Sequence, residues 1–410
     1  MQNKILLPSE AEDLIQNSKS FKIFDSDRDL AEASLGGSDN KSFEVKYMVE
    51  GKGEFVEVIV HRVTNGISVN YTEEYMRRRD PDTMAIADDK PTNKPKYKDR
   101  FGYEFSSVRN DTFKWMKDQD LAGFYFRLGP HLEKNSYGLA IVPANAAFFA
   151  MGLGMLQKII PHNEVPDQTK IRVVVYVAPP FRHTHFDGKQ VVVHNRRDSI
   201  YEIFSYNLYP GPSAKKGIYG VLLSCGEEEG WSAPHCSVVQ SISPYDNITT
   251  FMHEGASGGG KSEMLQHIVR EANGEVLIGE NILTGERRTT NIPQFCQISP
   301  VCDDMGIAHP SFQTGSSRLR IMDAENAWFI RTDNITGYGT EPTLEKITIN
   351  TQRPLLFLNI KTNPGGTALI WNHTLDAPDK PCPNPRVIVP REEFPGVVEK
   401  PVSVDVRSFG

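Results

Sequence analysis

The sequence predicts a mixed α/β protein of two lobes, and three observations carry that prediction. Residues 171–178 (IRVVVYVA) form a continuous apolar, β-branched run closed by Pro179-Pro180, which is the pattern of a buried strand. Residues 144–160 are small and apolar on nearly every side, with Phe148, Phe149, Met151, Met155 and Leu156, which is the pattern of a buried helix. Gly255-Ala256-Ser257-Gly258-Gly259-Gly260-Lys261-Ser262 reads G-x-x-x-x-G-K-S. It stands between a β-branched run, Asn247 to Met252, and a segment of helical spacing, Glu263 to Ala272. Strand, glycine loop, Lys-Ser and helix in that order are a phosphate-binding loop. The glycines let backbone N–H groups turn toward phosphate, the lysine reaches the outer phosphates, and the serine hydroxyl suits Mg²⁺.

Composition bounds the reading. The 410 residues suffice for two sizeable cores. A net charge of −7, from 45 basic and 52 acidic residues, argues against a general binder of nucleic acid or anionic membrane. No apolar run reaches membrane-spanning length, and Met1 to Leu6 lacks the apolar segment of a signal peptide. Five scattered cysteines with no C-x-x-C pair read as reduced thiols in a cytoplasm.

Taken in order, residues 1–40 read as a charged helical lead-in. Phe43 to Tyr47 and Phe55 to Val60 read as an antiparallel pair turning at Gly51-Lys52-Gly53. Arg77-Arg78-Arg79 is a dense basic cluster, either a solvated loop or an anion clamp, since guanidinium forks suit carboxylate and phosphate. Residues 105–160 read mainly as helix. His183 and His185 would share a face on a strand and reach one metal, but no third ligand is near, so exposed loop histidines are the preferred reading. Lys215-Lys216 stand at the mouth of an expected strand, Ile218 to Leu223. Gln297 to Val301 is a weak strand because of Pro300, and it leads into Asp303-Asp304. Paired acids beyond a phosphate-binding loop suit the group that holds Mg²⁺ on a nucleotide.

These pieces together resemble the phosphoenolpyruvate carboxykinases over about residues 195–410. Lys215-Lys216-Gly217-Ile218 is similar to that family's K-K-G-[IM], whose second lysine ligates metal. Pro234-His235-Cys236-Ser237 resembles the M-H-C-S of the ATP-dependent branch, at a suitable spacing, 235 − 216 = 19. Glu228 to Ala233 (EEGWSA) resembles the E-E-G-W-L-A of the GTP-dependent branch. Cys302-Asp303-Asp304 resembles G-D-D, whose second aspartate binds metal. Asp323 to Phe329, Ile349-Asn350-Thr351 and Gly365 to Trp371 match further segments more loosely. Cys382-Pro383-Asn384-Pro385-Arg386 resembles H-P-N-S-R, which contacts substrate. Arg79-Asp80-Pro81 resembles R-S-P, whose arginine holds the substrate carboxylate. The departures are Cys302 for glycine, Ser262 for threonine, and Ile330 to Thr336 where the family has G-V-A-P-G-T-S. The sequence ends at Ser408-Phe409-Gly410, about where the family's F-G-G-R-R segment begins, so the expectation is either a missing C-terminal part or a nucleotide held differently.

The resemblance implies a two-lobed carboxykinase-like architecture, with residues 1–205 on the substrate side and 206–410 carrying the phosphate-binding loop. It implies ATP or GTP, Mn²⁺ and Mg²⁺ as cofactors, and an oxo-acid or phospho-carboxylate as the small-molecule partner. Lys216, His235 and Asp304 would form a mixed N/N/O site suited to Mn²⁺ once burial and the cation lower the lysine's pKa. Ser262 and Asp303 would attend the nucleotide's Mg²⁺. Lys261, Arg79 and Arg386 would supply positive charge for phosphoryl transfer. A kinase with another acceptor, or a nucleotide binder without catalysis, uses the same loop.

Overall fold

The structure is a computed structural model, and it describes residues 5–129, 132, 136–197, 200–256, 259–265, 268, 270–293 and 296–409. The protein is mixed α/β, with several separate sheets. It divides into two compact units: residues 1–224 with 325–393, and residues 225–324 with 394–410. Residues 325–393, beyond the expected boundary at 206, therefore return to the first unit. The reason is strand pairing: Leu355–Leu358 runs parallel to Gly66–Tyr71, so the late segment completes a sheet begun early in the chain.

Two large sheets carry the first unit among the described residues. The eight-stranded one has the order Ser20–Ile23, Asp120–Arg127, Tyr137–Pro143, Val173–Val177, Ile200–Ser205, Val192–Arg197, Met84–Ile86, with Ile159–Ile160 added beside Asp120–Arg127. The six-stranded one has the order Ala327–Arg331, Arg386–Pro390, Leu355–Leu358, Gly66–Tyr71, Gly53–Val63, Ser42–Val49. The helix Ala147–Gln157 is buried at every residue. Its glycines explain how it fits. A Cβ on Gly154 would stand 2.5 Å from Ile159, which belongs to the larger sheet. A Cβ on Gly152 would stand 3.1 Å from Leu356 of the other. Small residues let the helix backbone approach both sheets at core density.

Several elements differ from the expectation. The pair expected over 42–72 is a three-stranded meander, because Gly66–Tyr71 joins it. Asp120–Arg127 and Tyr137–Pro143 are strands in a stretch expected to be helical. Both are buried on both faces, and such runs lack the alternation that separates strand from buried helix. The expected strand after Lys215-Lys216 is the helix Lys216–Glu229. Ile218, Val221, Leu222 and Cys225 are buried at spacings of three and four, while Leu223 is exposed, which is a helical period. His183 and His185 lie on a short helix, Phe181–His185, not a strand. Residues two apart on a helix do not face one another. His183 meets the Tyr47 hydroxyl at 3.1 Å, and His185 stacks on Phe181.

One buried histidine gives the first unit a pH dependence. His194 lies in the strand Val192–Arg197, packed against Gly220, and its buried Nε2 has no hydrogen-bond partner among the described residues. Burial, with repulsion from Arg196, pushes its pKa down to about 4, against the attraction of Asp88. The folded pKa lies below the unfolded value, so the contribution is full above about pH 6.5 and is lost as pH falls toward 4. At 1.36 kcal/mol per unit the loss is about 3 kcal/mol. Melting temperature should therefore fall between pH 6.5 and 4 more steeply in wild type than in His194→Leu. Equal slopes in the two proteins would remove His194 as the cause.

Candidate functional site

The second unit assembles one end of a four-stranded sheet. Gln297–Cys302, Cys236–Ile242 and Ile248–Glu254 are neighbouring antiparallel strands, and Val406–Phe409 adds a parallel edge. Alternating direction brings the start of one strand beside the ends of its two neighbours. His235 precedes the central strand, Gly255 follows one neighbour and Asp303-Asp304 follow the other. The backbone seals this edge. Gly255 N–H donates to His235 O at 3.3 Å, and Cys236 N–H donates to Asp304 O at 3.1 Å. Pro300 fits its strand because the register shifts beside it, which is a bulge. Cys236, Val238, Met252, Val301 and Cys302 form the apolar floor, and burial raises the Cys302 thiol's pKa well above its usual value.

The side chains converge above that floor. His235 Nε2 lies 2.7 Å from Asp304 Oδ1, and Lys261 Nζ lies 3.5 Å from the same oxygen. Lys261 Nζ also donates to Ala256 O at 3.1 Å, spanning the loop that carries it. Ser262 Oγ donates to Asp303 Oδ1 at 2.7 Å. Thus the loop's lysine and serine each meet one member of the acid pair. Asp304 has φ 73, and Met305 N–H bonds Asp303 O at 3.0 Å across it, a γ-turn that is rare for a non-glycine residue. Such strain costs about 1–3 kcal/mol and persists only where the surroundings enforce it. Here it places neighbouring carboxylates on separate partners.

The loop itself differs from the expectation after Ser262. Gly255, Ala256, Gly259, Gly260 (φ 75), Lys261 and Ser262 are described, while Ser257 and Gly258 lie outside the described residues. The expected helix over 263–272 is a 3₁₀ turn at Ser262–Leu265, and the described residues 268, 270 and 271 are not helical. Met264 and Ile268, half of its intended apolar stripe, are 47% and 57% exposed. A short helix without a buried face is marginal. The hairpin Val276–Glu280 with Arg287–Thr290 then follows.

The remaining expected residues belong to the first unit. Lys216 is exposed at the first position of its helix. Its neighbour Lys215 is the buried one, 3.4 Å from the fully buried Glu325 carboxylate. Arg77 and Arg78 of the basic cluster both close on Asp376, at 2.9 and 3.0 Å. They clamp an anion, but one supplied by the chain itself. Arg386 opens its strand with Nε donating to Asn384 Oδ1 at 2.8 Å and Nη1 to Phe329 O at 3.4 Å, its guanidinium 5.3 Å from the Phe329 ring centroid. Burial lowers its pKa, Tyr209 and Asp333 oppose that, and the positive charges of Arg331 and Arg79 add to it. Arg79 therefore lies within electrostatic reach of Arg386. Asn384 belongs to the same motif as Arg386, Arg331 and Asp333 fall in the stretch that departs from the carboxykinase pattern, and Tyr209 is a member of this surrounding that the sequence did not single out. Among the described residues no three His, Cys, Asp or Glu side chains cluster to hold a metal.

Two polar centres are thus defined: a loop–acid cluster in the second unit and an arginine cluster in the first. The chain belongs to the family described as a domain of unknown function (DUF4914), whose family model it matches over residues 7–410. No curated protein matches it.

Proposed function

We propose that the protein is a nucleotide- and divalent-metal-dependent phosphotransferase of the phosphoenolpyruvate carboxykinase type, two-lobed like that family and working in a cytoplasm. The observation that carries this reading is the double engagement of the loop with the acid pair: Ser262 on Asp303, and Lys261 on Asp304 with His235. Loop hydroxyl and carboxylate are the oxygen pair that suits Mg²⁺, and a His–Asp pair on one point suits Mn²⁺. Lys216 would complete the second set. When bound, the cations would supply charge neutralisation at the phosphates. The chain's own residues do the rest. Lys261 would exchange Ala256 O and Asp304 for the outer phosphates of ATP or GTP. Asp304, fixed by its γ-turn, would keep His235 oriented. Arg386 and Arg79 would hold the carboxylate of an oxo-acid such as oxaloacetate, so that CO₂ leaves and phosphate moves to the enolate oxygen, giving phosphoenolpyruvate.

A second reading keeps the apparatus and changes the acceptor. It is favoured by Arg331 and Asp333, charged residues in a stretch where the carboxykinase motif G-V-A-P-G-T-S has none. One assay separates the two: phosphoenolpyruvate, bicarbonate, nucleoside diphosphate and Mn²⁺, followed for oxaloacetate, beside thermal melting with ATP or GTP. Asp304→Asn keeps the volume and removes the charge, so turnover should fall at least 100-fold with the metal-free melting temperature little changed. Melting shifts with nucleotide but no oxaloacetate would favour the kinase. No shift with either nucleotide and Mg²⁺ would end both.

A further inference from the structure

Arg331 and Arg386 are directly opposite each other in the antiparallel pair of Ala327–Arg331 with Arg386–Pro390. Like charges in that position repel, so the sheet holds the two side chains at a cost. Neither arginine is neutralised in the ordinary way. Among the described residues Arg386 has no carboxylate partner; its head rests on an amide oxygen, a backbone carbonyl and a phenyl face. A half-buried guanidinium without a paired anion is uncommon, because even partial desolvation of the charge is expensive. Arg79 adds a third positive charge to the same surroundings. Arg331 does have a carboxylate, but it comes from two residues along its own chain. Its Nε donates to Asp333 Oδ1 at 2.9 Å, and its Nη2 donates to Oδ2. The side chains of this pair are 55% and 36% exposed. An exposed ion pair is weak and readily exchanged.

We propose that Arg331 is a specificity-determining residue that reads a second acidic group on the ligand gripped by Arg386, and that Asp333 is the resident counter-ion which that group displaces. The ligand is thus a small dianion: a dicarboxylate, or a carboxylate that also carries phosphate. One acidic group takes the half-buried Arg386, which has no carboxylate partner among the described residues. The other takes Arg331 and frees Asp333 to water. A monoanion satisfies Arg386 alone and leaves the Arg331–Asp333 pair closed. The cross-strand opposition sets the spacing of the two guanidinium groups, because opposed residues lie about 5 Å apart at their Cβ atoms. That separation suits acidic groups on the same carbon or on neighbouring carbons.

The inference rests on Arg386 as an anion-gripping residue, and needs neither nucleotide nor metal. It is tested by calorimetric titration of the full chain at low ionic strength with malonate, inorganic phosphate and acetate. Malonate should bind more tightly than acetate. Arg331→Gln should weaken malonate at least tenfold and change acetate less than twofold. Asp333→Asn, which removes the competing carboxylate, should tighten malonate about threefold or more. Both positions are exposed enough for the variants to fold, and circular dichroism melting checks that. Phosphate binding that follows the malonate pattern assigns one of the two groups to phosphate; phosphate binding indifferent to Arg331 assigns both to carboxylates. Wild-type affinity for malonate in Arg331→Gln, weaker malonate binding in Asp333→Asn, or no dianion binding to wild type would each overturn the proposal. Failure of the phosphotransferase assay with these responses intact removes the proposed reaction and leaves the dianion site standing.

Discussion

Lys261→Met should abolish most of the nucleotide-induced stabilisation while leaving a folded protein. Methionine, not alanine, is the right replacement. The side chain is 5% exposed, so its stem is part of the packing around the loop. Alanine would leave a void there as well as removing the charge. Methionine keeps the stem and deletes the ammonium that reaches Ala256 O and Asp304. A charge-assisted contact to phosphate contributes about 3 kcal/mol, which is roughly 100-fold in affinity. At a nucleotide concentration of about 100 times the wild-type Kd, wild type gains about 2.7 kcal/mol and the variant about 0.4 kcal/mol. The corresponding melting shift should nearly vanish for ATP and GTP alike. A variant that keeps the full wild-type shift would show that the nucleotide, if bound, does not use this lysine.

How much was legible in the sequence depends on whether a feature is local. The helix Ala147–Gln157 could be read because all-round apolarity over that length admits few alternatives. The strand Val173–Val177 could be read for the same reason. Tyr137–Pro143 could not: it is as apolar as the helix beside it and too short to show a period. Lys216–Glu229 reads as a strand from its sequence because Ile218 to Leu223 is β-branched and apolar at its start, and only the burial of Val221, Leu222 and Cys225 reveals the helical face. In the candidate site, the G-x-x-x-x-G-K-S loop and the acid pair are contiguous strings, visible without a fold. That Ser262 meets Asp303 depends on two neighbouring strands ending at one edge, which follows from the sheet order and not from spacing. The opposition of Arg331 and Arg386 is further from view. It requires the register between two distant segments, and a one-residue slip would put the arginines on opposite faces. The clamp of Arg77 and Arg78 on Asp376 is equally non-local, so whether the basic cluster meets solvent, ligand or the chain itself was open until the fold was known.

Arg386→Lys is the substitution expected to have the largest effect in the first unit. Lysine keeps the positive charge, so a purely electrostatic role would survive it. The structure gives Arg386 more than charge. Its Nε satisfies Asn384, whose own amide donates to the Tyr209 hydroxyl at 2.7 Å, and its plane faces the Phe329 ring. Lysine cannot reproduce the planar fork or hold Asn384 and a ligand oxygen at once. Loss of the Asn384 bond should cost about 1 kcal/mol of stability, within the range for one hydrogen bond. Loss of a bidentate grip on a carboxylate should cost about 2–3 kcal/mol of binding, or roughly 30- to 150-fold in affinity. Arg386→Lys should therefore bind malonate and acetate more weakly by comparable factors, in contrast to Arg331→Gln, which spares acetate. Nucleotide-induced melting shifts should stay at their wild-type size, because every loop and acid-pair contact described lies in the second unit. Titration of both anions, with the ATP melting shift on the same samples, checks this. If acetate and malonate affinity survive the lysine replacement, the planar fork does not grip the anion, and Arg386 acts only through its charge or not at all.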